Sequence, residues 1–224
     1  MKKILKYFLI AFLAFTVLAI IWPKNGPSPS EERRPLKPEE MFSQHEIDSM
    51  NNLIQEYEKM LPGAYAKLRK ESDEFNPDPV WFYAKKTSKY RNRNDIYMYL
   101  AKFKSGFVKP RLVIQYHADD WLFIESYEIL TDNNKYEIKL SRAADRDNDG
   151  GKIWEWADLE WADRYGEILN DIANSQTAKI RHNGRKYYKD RTITNREKQS
   201  IKDVMTVYKL EGNLQFAKTM LDKN

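Results

Sequence analysis

The sequence predicts an α+β fold, mainly an antiparallel β-sheet or sandwich with flanking helices, after one N-terminal transmembrane helix. Three observations predict it. An uncharged apolar run at residues 7–22 follows a basic N-terminus. Aromatic and β-branched runs between residues 80 and 140 alternate with short turn-rich segments, which makes neighbouring strands antiparallel because parallel pairing needs a long crossover. Two capping-box patterns, at residues 43–46 and 194–197, begin helices on either side.

Residues 1–22 are predicted to be a membrane anchor or signal segment. Lys2, Lys3 and Lys6 precede the apolar run, which with its flanking residues gives about 19 positions, nearly enough for a helix to cross a hydrocarbon core of about 30 Å. A cleaved signal peptide has a shorter apolar core and small residues near its end, whereas this run ends in bulky side chains, with Trp22 suited to the interface. An uncleaved single-pass anchor is favoured, and secretion after signal cleavage is the alternative.

The lysines before the span outnumber the one just after it, Lys24. This asymmetry favours an extracytoplasmic C-terminal domain, either periplasmic or at the cell surface. Residues 23–42 are rich in proline and are predicted to be an extended linker. The remaining chain is expected to divide into a juxtamembrane helical region at 43–74, a β-rich globular domain at 75–212 and a C-terminal tail at 213–224.

The positive charge of the chain is concentrated at its N-terminus. The whole chain has 38 Lys and Arg residues, 33 Asp and Glu residues and a net charge of +5. Residues 1–37 hold seven basic and two acidic side chains, so the remainder carries 31 of each sign. A nucleic-acid-binding domain carries its excess charge on its own surface, so no nucleic-acid partner is expected. The lack of cysteine excludes disulfides and thiol chemistry.

The juxtamembrane region is predicted to form an amphipathic helix. Ser43-x-x-Glu46 is a capping box, and apolar residues then recur at spacings of three and four, at Ile47, Met50, Ile54, Tyr57 and Leu61. The Pro62-Gly63 pair is expected to interrupt or end this helix. Two interpretations stay open: the apolar stripe packs on its own domain, or it is a short seam for a homodimer.

The later elements follow from alternation, turn residues and caps. Strands are expected at 80–83, 95–103, 111–117, 121–130, 135–140 and 153–161, and a helix at 163–175. Asn183-Gly184 lies between two strand-like arms and predicts a tight hairpin in which both residues have positive φ. Thr194-x-x-Glu197 begins a last helix, which Gly212 is expected to end.

Four blocks of the sequence resemble a family of uncharacterised bacterial envelope domains. The blocks are DDWLFIESY at 119–127, DNDGGKIWEW at 147–156, IANS at 172–175 and YYKDRTIT at 187–194. The resemblance covers roughly residues 79–210, and those proteins also follow a signal or an anchor. It implies an exported bacterial domain and brings no known activity.

One acidic segment predicts a weak calcium site. Asp145, Asp147 and Asp149 alternate and are followed by glycine, which offers hard oxygen ligands around a turn, with Asp158 as a possible distal ligand. The bidentate glutamate of an EF-hand loop is missing, because position 12 is Trp156. A solvated turn is the alternative interpretation. Calcium is the one cofactor that the sequence suggests.

Aromatic side chains supply the candidate ligand-binding residues. Trp154 and Trp156 share one face of their predicted strand, and Tyr97 and Tyr99 follow the basic run at 85–93. An exposed platform of this kind suits a sugar or a peptide, and a basic loop suits an anionic lipid or polymer. The alternative interpretations are that the rings fill the core and that the loop is merely solvated.

The sequence contains no recognisable catalytic motif. Its histidines, at positions 45, 117 and 182, share no spacing, and neither a nucleophile elbow nor a P-loop is present. We therefore expect a membrane-anchored extracytoplasmic domain that binds another envelope protein or a glycan. Two alternatives stay open: a carboxylate-based envelope hydrolase, whose acidic pair only geometry could reveal, and an accessory protein that dimerises through its juxtamembrane helix.

Overall fold

The computed structural model describes residues 37–222. These residues belong to one compact unit that begins at Lys37. The predicted anchor at 1–22 and residues 23–36 of the predicted linker lie outside the described residues. Within 37–222, no helix is both long enough and apolar enough to span a bilayer.

Four helices are present in the described part of the chain: α1 at Pro38–Met41, α2 at Gln44–Tyr65, α3 at Asp163–Asn174 and α4 at Asn195–Leu221. Both predicted capping boxes are confirmed. Ser43 and Glu46 exchange side-chain-to-backbone hydrogen bonds at the start of α2, and Thr194 and Glu197 do so at the start of α4. Helix α1 occupies the last residues that the sequence assigned to the linker.

Between residues 37 and 222, ten strands form two antiparallel sheets. The first sheet has the order β1-β2-β3-β4-β8-β7, and the second has the order β10-β9-β5-β6. The strands are β1 Leu68–Glu71, β2 Val80–Ala84, β3 Asp95–Lys102, β4 Val108–Ala118, β5 Ile124–Leu130, β6 Lys135–Lys139, β7 Asp145–Asp149, β8 Lys152–Glu160, β9 Lys179–Gly184 and β10 Tyr188–Thr192. The predicted α+β class, with antiparallel sheets and flanking helices, is confirmed.

Both predicted helix ends are wrong, and burial explains both. Helix α2 continues through Pro62 to Tyr65, whose ring packs on the core. Helix α4 continues through Gly212, and its last turns bury Leu214 and Met220. A proline or glycine inside a helix is unfavourable, but packing of an apolar stripe provides most of the stability of a helix in a protein. Tertiary contacts therefore outweigh the local stop signals.

Helices α2 and α4 pack antiparallel along one face of the six-stranded sheet. Glu211 on α4 accepts a hydrogen bond from the Tyr65 hydroxyl at 2.6 Å, and Lys218 pairs with Glu58 at 2.6 Å. One hydrophobic core joins these helices to the inner residues of both sheets. Its fully buried side chains include Met98, Leu100, Leu112, Ile114, Tyr127, Ile129, Ile138, Ile180 and Val204.

The hairpin predicted at Asn183-Gly184 forms, but its turn is two residues later. Asn183 pairs with Tyr188, and the Gly184 N–H donates to the Tyr187 carbonyl at 2.8 Å, so the central residues are Arg185 and Lys186. Gly184 does not have a positive φ. A Cβ atom there would lie 2.2 Å from the carbonyl oxygen of Leu122, so the glycine permits a close backbone approach instead of a left-handed turn.

Two strands were missed and one begins later than predicted. Strand β1 lies in the region expected to be helical and pairs with β2, and β7 covers the acidic segment expected to be a turn or calcium loop. Strand β5 starts at Ile124 instead of position 121. The reason is Glu155 on β8, whose buried carboxylate accepts the backbone N–H groups of Leu122, Phe123 and Ile124 at 2.7–2.9 Å.

Candidate ligand-binding face

The six-stranded sheet has an aromatic outer face, on the side away from α2 and α4. Directly opposed residues on neighbouring strands point to the same side of a sheet, and the register aligns Tyr83 with Tyr99, Tyr99 with Arg111, and Trp156 with Gln115. We call this surface the aromatic face. Its members are Arg69, Trp81, Tyr83, Tyr97, Tyr99, Arg111, Val113, Trp154, Trp156 and Asp158.

The centre of the aromatic face is a second small apolar cluster. Tyr97 and Tyr99 are 4% and 7% exposed, and the partly buried rings of Trp81 and Tyr83 pack against them. Tyr83 stacks on Tyr99 with ring centroids 4.9 Å apart and an interplanar angle of 25°. These rings pack closely against one another on the pleated surface.

A charged group lies beside these rings. The carboxylate of Asp158 accepts hydrogen bonds from Arg111 Nε at 2.7 Å and from the Tyr99 hydroxyl at 3.0 Å. Arg91 Nη2 lies 3.6 Å from the same carboxylate, and Arg91 Nη1 donates to the Tyr97 hydroxyl at 3.2 Å. Two guanidinium groups therefore share the Asp158 carboxylate, and Arg111 Nη1 also lies 3.4 Å from Glu160.

The tyrosine hydroxyls of this group stay protonated. Burial, and then the negative charge of Asp158, raise the pKa of Tyr99 well above its usual range. Burial also raises the pKa of Tyr97. Near neutral pH both hydroxyls are neutral and can donate or accept hydrogen bonds.

Part of the predicted basic loop belongs to this site. Arg91 comes from the connection between β2 and β3, and its guanidinium lies 5.8 Å from the Trp156 ring. On the other side of the face, the Arg69 guanidinium lies 4.8 Å from the Tyr83 ring. The loop is not uniformly solvated, because Arg91 folds back over the sheet while Tyr90 is 66% exposed.

A groove continues the face along the outer edge of β8. Strand β7 pairs with β8 only as far as Trp156. Beyond that point a cavity of about 230 Å³ lies between β8 and residues 139–143, and Trp156, Asp158 and Tyr165 are among its lining residues. The groove therefore runs from the Trp156 ring to the charged group around Asp158.

The structure places all four sequence-predicted ligand-binding residues on the aromatic face: Tyr97, Tyr99, Trp154 and Trp156. Their role in binding stays a prediction. Sequence reasoning missed Trp81, Tyr83 and Arg111. Arg111 and Gln115 are polar and alternate along β4 with the core-facing Leu112 and Ile114, and this alternation is the signal that could have identified Arg111.

The four aspartates of the predicted calcium site lie along a hairpin. Strand β7 carries three of them, and the turn to β8 is Gly150-Gly151, with φ angles of 56° and 76°. A strand spaces alternate side chains along its length and does not wrap them around one point. Asp145 binds Arg142 at 2.9 Å and Asp158 binds Arg111. Across 37–222 no group of three or more His, Cys, Asp or Glu side chains is arranged to hold a metal ion.

The histidines do not form a site either. His182 is 1% exposed and lies between the rings of Tyr116 and Tyr127, with centroid distances of 5.4 and 5.5 Å. Burial is the main cause that lowers the pKa of His182 to about 4. It is therefore a neutral core residue near pH 7.

Comparison of the chain with protein-family models, characterised proteins and solved structures gives no match.

Proposed function

We propose that this chain is a membrane-anchored extracytoplasmic binding protein whose aromatic face holds a glycan of the bacterial envelope. One observation carries the proposal: packed tyrosine and tryptophan rings surround charged hydrogen-bonding groups of both signs, namely Arg91, Arg111 and Asp158. Ligand sites commonly combine an aromatic lining with a few fixed polar groups that set the orientation of the ligand.

Sugar chemistry matches this combination. One side of a pyranose ring presents C–H groups, which stack on the face of an aromatic ring such as Trp156. The hydroxyl groups at the ring edge both donate and accept hydrogen bonds, so they match a carboxylate and a guanidinium that lie side by side. The partial exposure of Arg91 and Asp158, 34% and 19% of their side chains, leaves both able to contact a ligand.

The same contacts favour binding over hydrolysis. A carboxylate-based glycosidase uses two free carboxyl groups on either side of the scissile bond. Asp158 already holds Arg111 and Tyr99. Glu155 on β8 is fully buried and accepts three backbone N–H groups. Each of these carboxylates has a structural partner in place of a substrate.

The packing of α2 also bears on the dimer alternative. Tyr57 and Leu61, two residues of the predicted seam, pack against the core of their own chain. Only the first half of the stripe, from Ile47 to Ile54, is left for a partner. This arrangement favours α2 as a part of its own domain.

The extracytoplasmic location that we propose is inferred from the sequence. The anchor at 1–22 and the proline-rich linker would hold the domain outside the cytoplasm, within reach of envelope polymers. An envelope protein as the partner, and a secreted form after cleavage, are the competing proposals.

The experiment is sedimentation of the full chain, in mild detergent, with purified peptidoglycan. Replacing Trp156 with alanine removes the stacking ring at the edge of the groove, and we expect at least a tenfold loss of affinity. Phe75→Ala is the control, because Phe75 is an aromatic residue that is 93% exposed and lies outside the face.

Equal binding by the parent chain and Trp156→Ala would contradict the proposal. If peptidoglycan does not bind at all, photo-crosslinking from position 81 in native membranes tests the competing partner. If the parent chain captures a protein that Trp156→Ala does not capture, the ligand of the aromatic face is an envelope protein and not a glycan.

A further inference from the structure

A second cleft lies at the junction of the two sheets. It has a volume of about 360 Å³ and is formed by the start of β5, the connection between β6 and β7, and the hairpin between β9 and β10. Three arginines line it: Arg142, Arg146 and Arg185. None of these residues belongs to the aromatic face.

The arginines differ in how far their charge is neutralised. Arg142 pairs with Asp145, and Arg185 lies 3.7 Å from Glu125, but the side chains of all four are largely or partly exposed. Exposed pairs of this kind are weak and can exchange partners. Arg146 has no carboxylate within ion-pair distance in the described part of the chain, and its guanidinium lies 5.0 Å from the Phe123 ring.

The one acidic residue that is buried at the cleft does not compete for these arginines. Glu155 lines the cleft, but both of its carboxylate oxygens are bound by the backbone N–H groups at the start of β5. Because both oxygens are occupied in this way, Glu155 forms no ion pair with the three arginines.

Phe123 has a conformation that favours a functional role. Its φ is 56°, the one positive φ of a non-glycine residue in 37–222. For a bulky residue this backbone conformation is strained, and strain of this kind is common at ligand sites. The ring is 41% exposed and contacts Arg146 and Arg185 at 5.0 and 5.7 Å. This backbone conformation places the aromatic ring between two guanidinium groups at the mouth of the cleft.

We infer that this cleft binds a phosphate monoester. Guanidinium groups bind phosphate through paired, charge-assisted hydrogen bonds. A monoester has three terminal oxygens and close to two negative charges at neutral pH, so it can engage three arginines at once, whereas a carboxylate has only two oxygens. The ring of Phe123 would contact the organic group that carries the phosphate.

The test titrates the full chain in uncharged detergent, at constant ionic strength, with inorganic phosphate and with glycerol 3-phosphate, followed by ³¹P NMR. We expect saturable binding below roughly 50 mM. Tighter binding of glycerol 3-phosphate would identify an esterified ligand, and equal binding of the two probes would identify free phosphate as the ligand. No saturable binding of either probe would overturn the inference.

Two arginine variants make the test specific. Arg146→Gln removes the unpaired guanidinium and should weaken binding about tenfold or more, which corresponds to the loss of one charge-assisted contact. Arg164→Gln is the matched control, because Arg164 is also exposed and its described contact is with the Tyr165 ring at 5.3 Å, outside the cleft. Equal weakening by both variants would show that only general charge matters, and would overturn the inference.

A third variant separates a structural role of Phe123 from a role in binding. Asparagine accepts a positive φ more readily than phenylalanine does. Phe123→Asn should therefore raise the melting temperature while it weakens binding of glycerol 3-phosphate. A lower melting temperature together with unchanged binding would contradict the role assigned to the ring. The cleft shares residues 140–143 with the groove beside the aromatic face, but Arg146 and Phe123 do not line that groove, so variants at these two positions test the cleft separately from the glycan proposal.

Discussion

Glu155 on β8 accepts the backbone N–H of Leu122 at 2.7 Å, and this bond joins the two sheets. The same carboxylate accepts the next two N–H groups, so a side chain of one sheet satisfies three consecutive backbone donors where the other sheet begins. A buried carboxylate is stable only when hydrogen bonds compensate for its lost hydration. The three N–H groups provide this compensation.

Glu155→Gln should therefore destabilise the fold. The amide offers one acceptor oxygen and turns an NH₂ group towards backbone donors, so at least one buried N–H loses its partner. We expect a loss of about 3 kcal/mol in the free energy of unfolding, measured by urea titration. Glu125→Gln is the control, because that side chain is 64% exposed and its ion pair with Arg185 is long. Equal stability of the two variants would show that the Glu155 bridge contributes little.

Two glycines should respond in opposite ways to alanine. At position 184 the added Cβ meets the Leu122 carbonyl, so Gly184→Ala should cost about 2 kcal/mol or more. At position 212 nothing lies within 4 Å of the added atom, and Gly212→Ala should stabilise helix α4 by about 0.5–1 kcal/mol. Thermal unfolding of the two variants checks both signs. A stable Gly184→Ala variant would contradict the close approach of β9 to Leu122.

The pH dependence of stability should show the buried histidine. In the unfolded chain a histidine has a pKa of about 6.5, whereas burial lowers the pKa of His182 to about 4. Between these values the unfolded chain binds the proton and the folded chain does not. Stability is therefore complete above pH 6.5 and falls between pH 6.5 and 4, by up to about 3 kcal/mol.

His182→Gln should flatten this slope, measured by urea unfolding at a series of pH values from 4.5 to 7. His117→Gln should keep it, since His117 lies at the partly exposed end of β4. If all three proteins have the same slope, other groups control the acid sensitivity of the fold.

Calcium should not stabilise the domain. Strand β7 separates its aspartates along a hairpin, and Asp145 and Asp158 are paired with arginines. We expect the same melting temperature in EDTA and in excess calcium. If calcium raises the melting temperature of the parent chain but not of Asp147→Asn, a site forms by rearrangement of this hairpin.

The local elements were predictable because their signals are local. Alternation located six strands, and the two capping boxes located the starts of α2 and α4, since a cap depends only on residues three positions apart. Strand β7 was missed because DRDND carries no apolar alternation. It forms a strand because the glycine turn at 150–151 directs it back along β8.

The sequence by itself determined six of the strands, the starts of α2 and α4, and that Trp154 and Trp156 share one side of β8. Only the tertiary structure decided the order of the sheets, in which β8 lies next to β4 while β5 pairs with β9. That order brings Tyr97 and Tyr99 to the same side as the two tryptophans, with Asp158 between Arg91 and Arg111. It also explains why position 184 is a glycine, because the Leu122 carbonyl that lies against it comes from a segment distant in sequence. Contacts between distant segments depend on packing of the whole chain, and packing leaves no local pattern in the sequence.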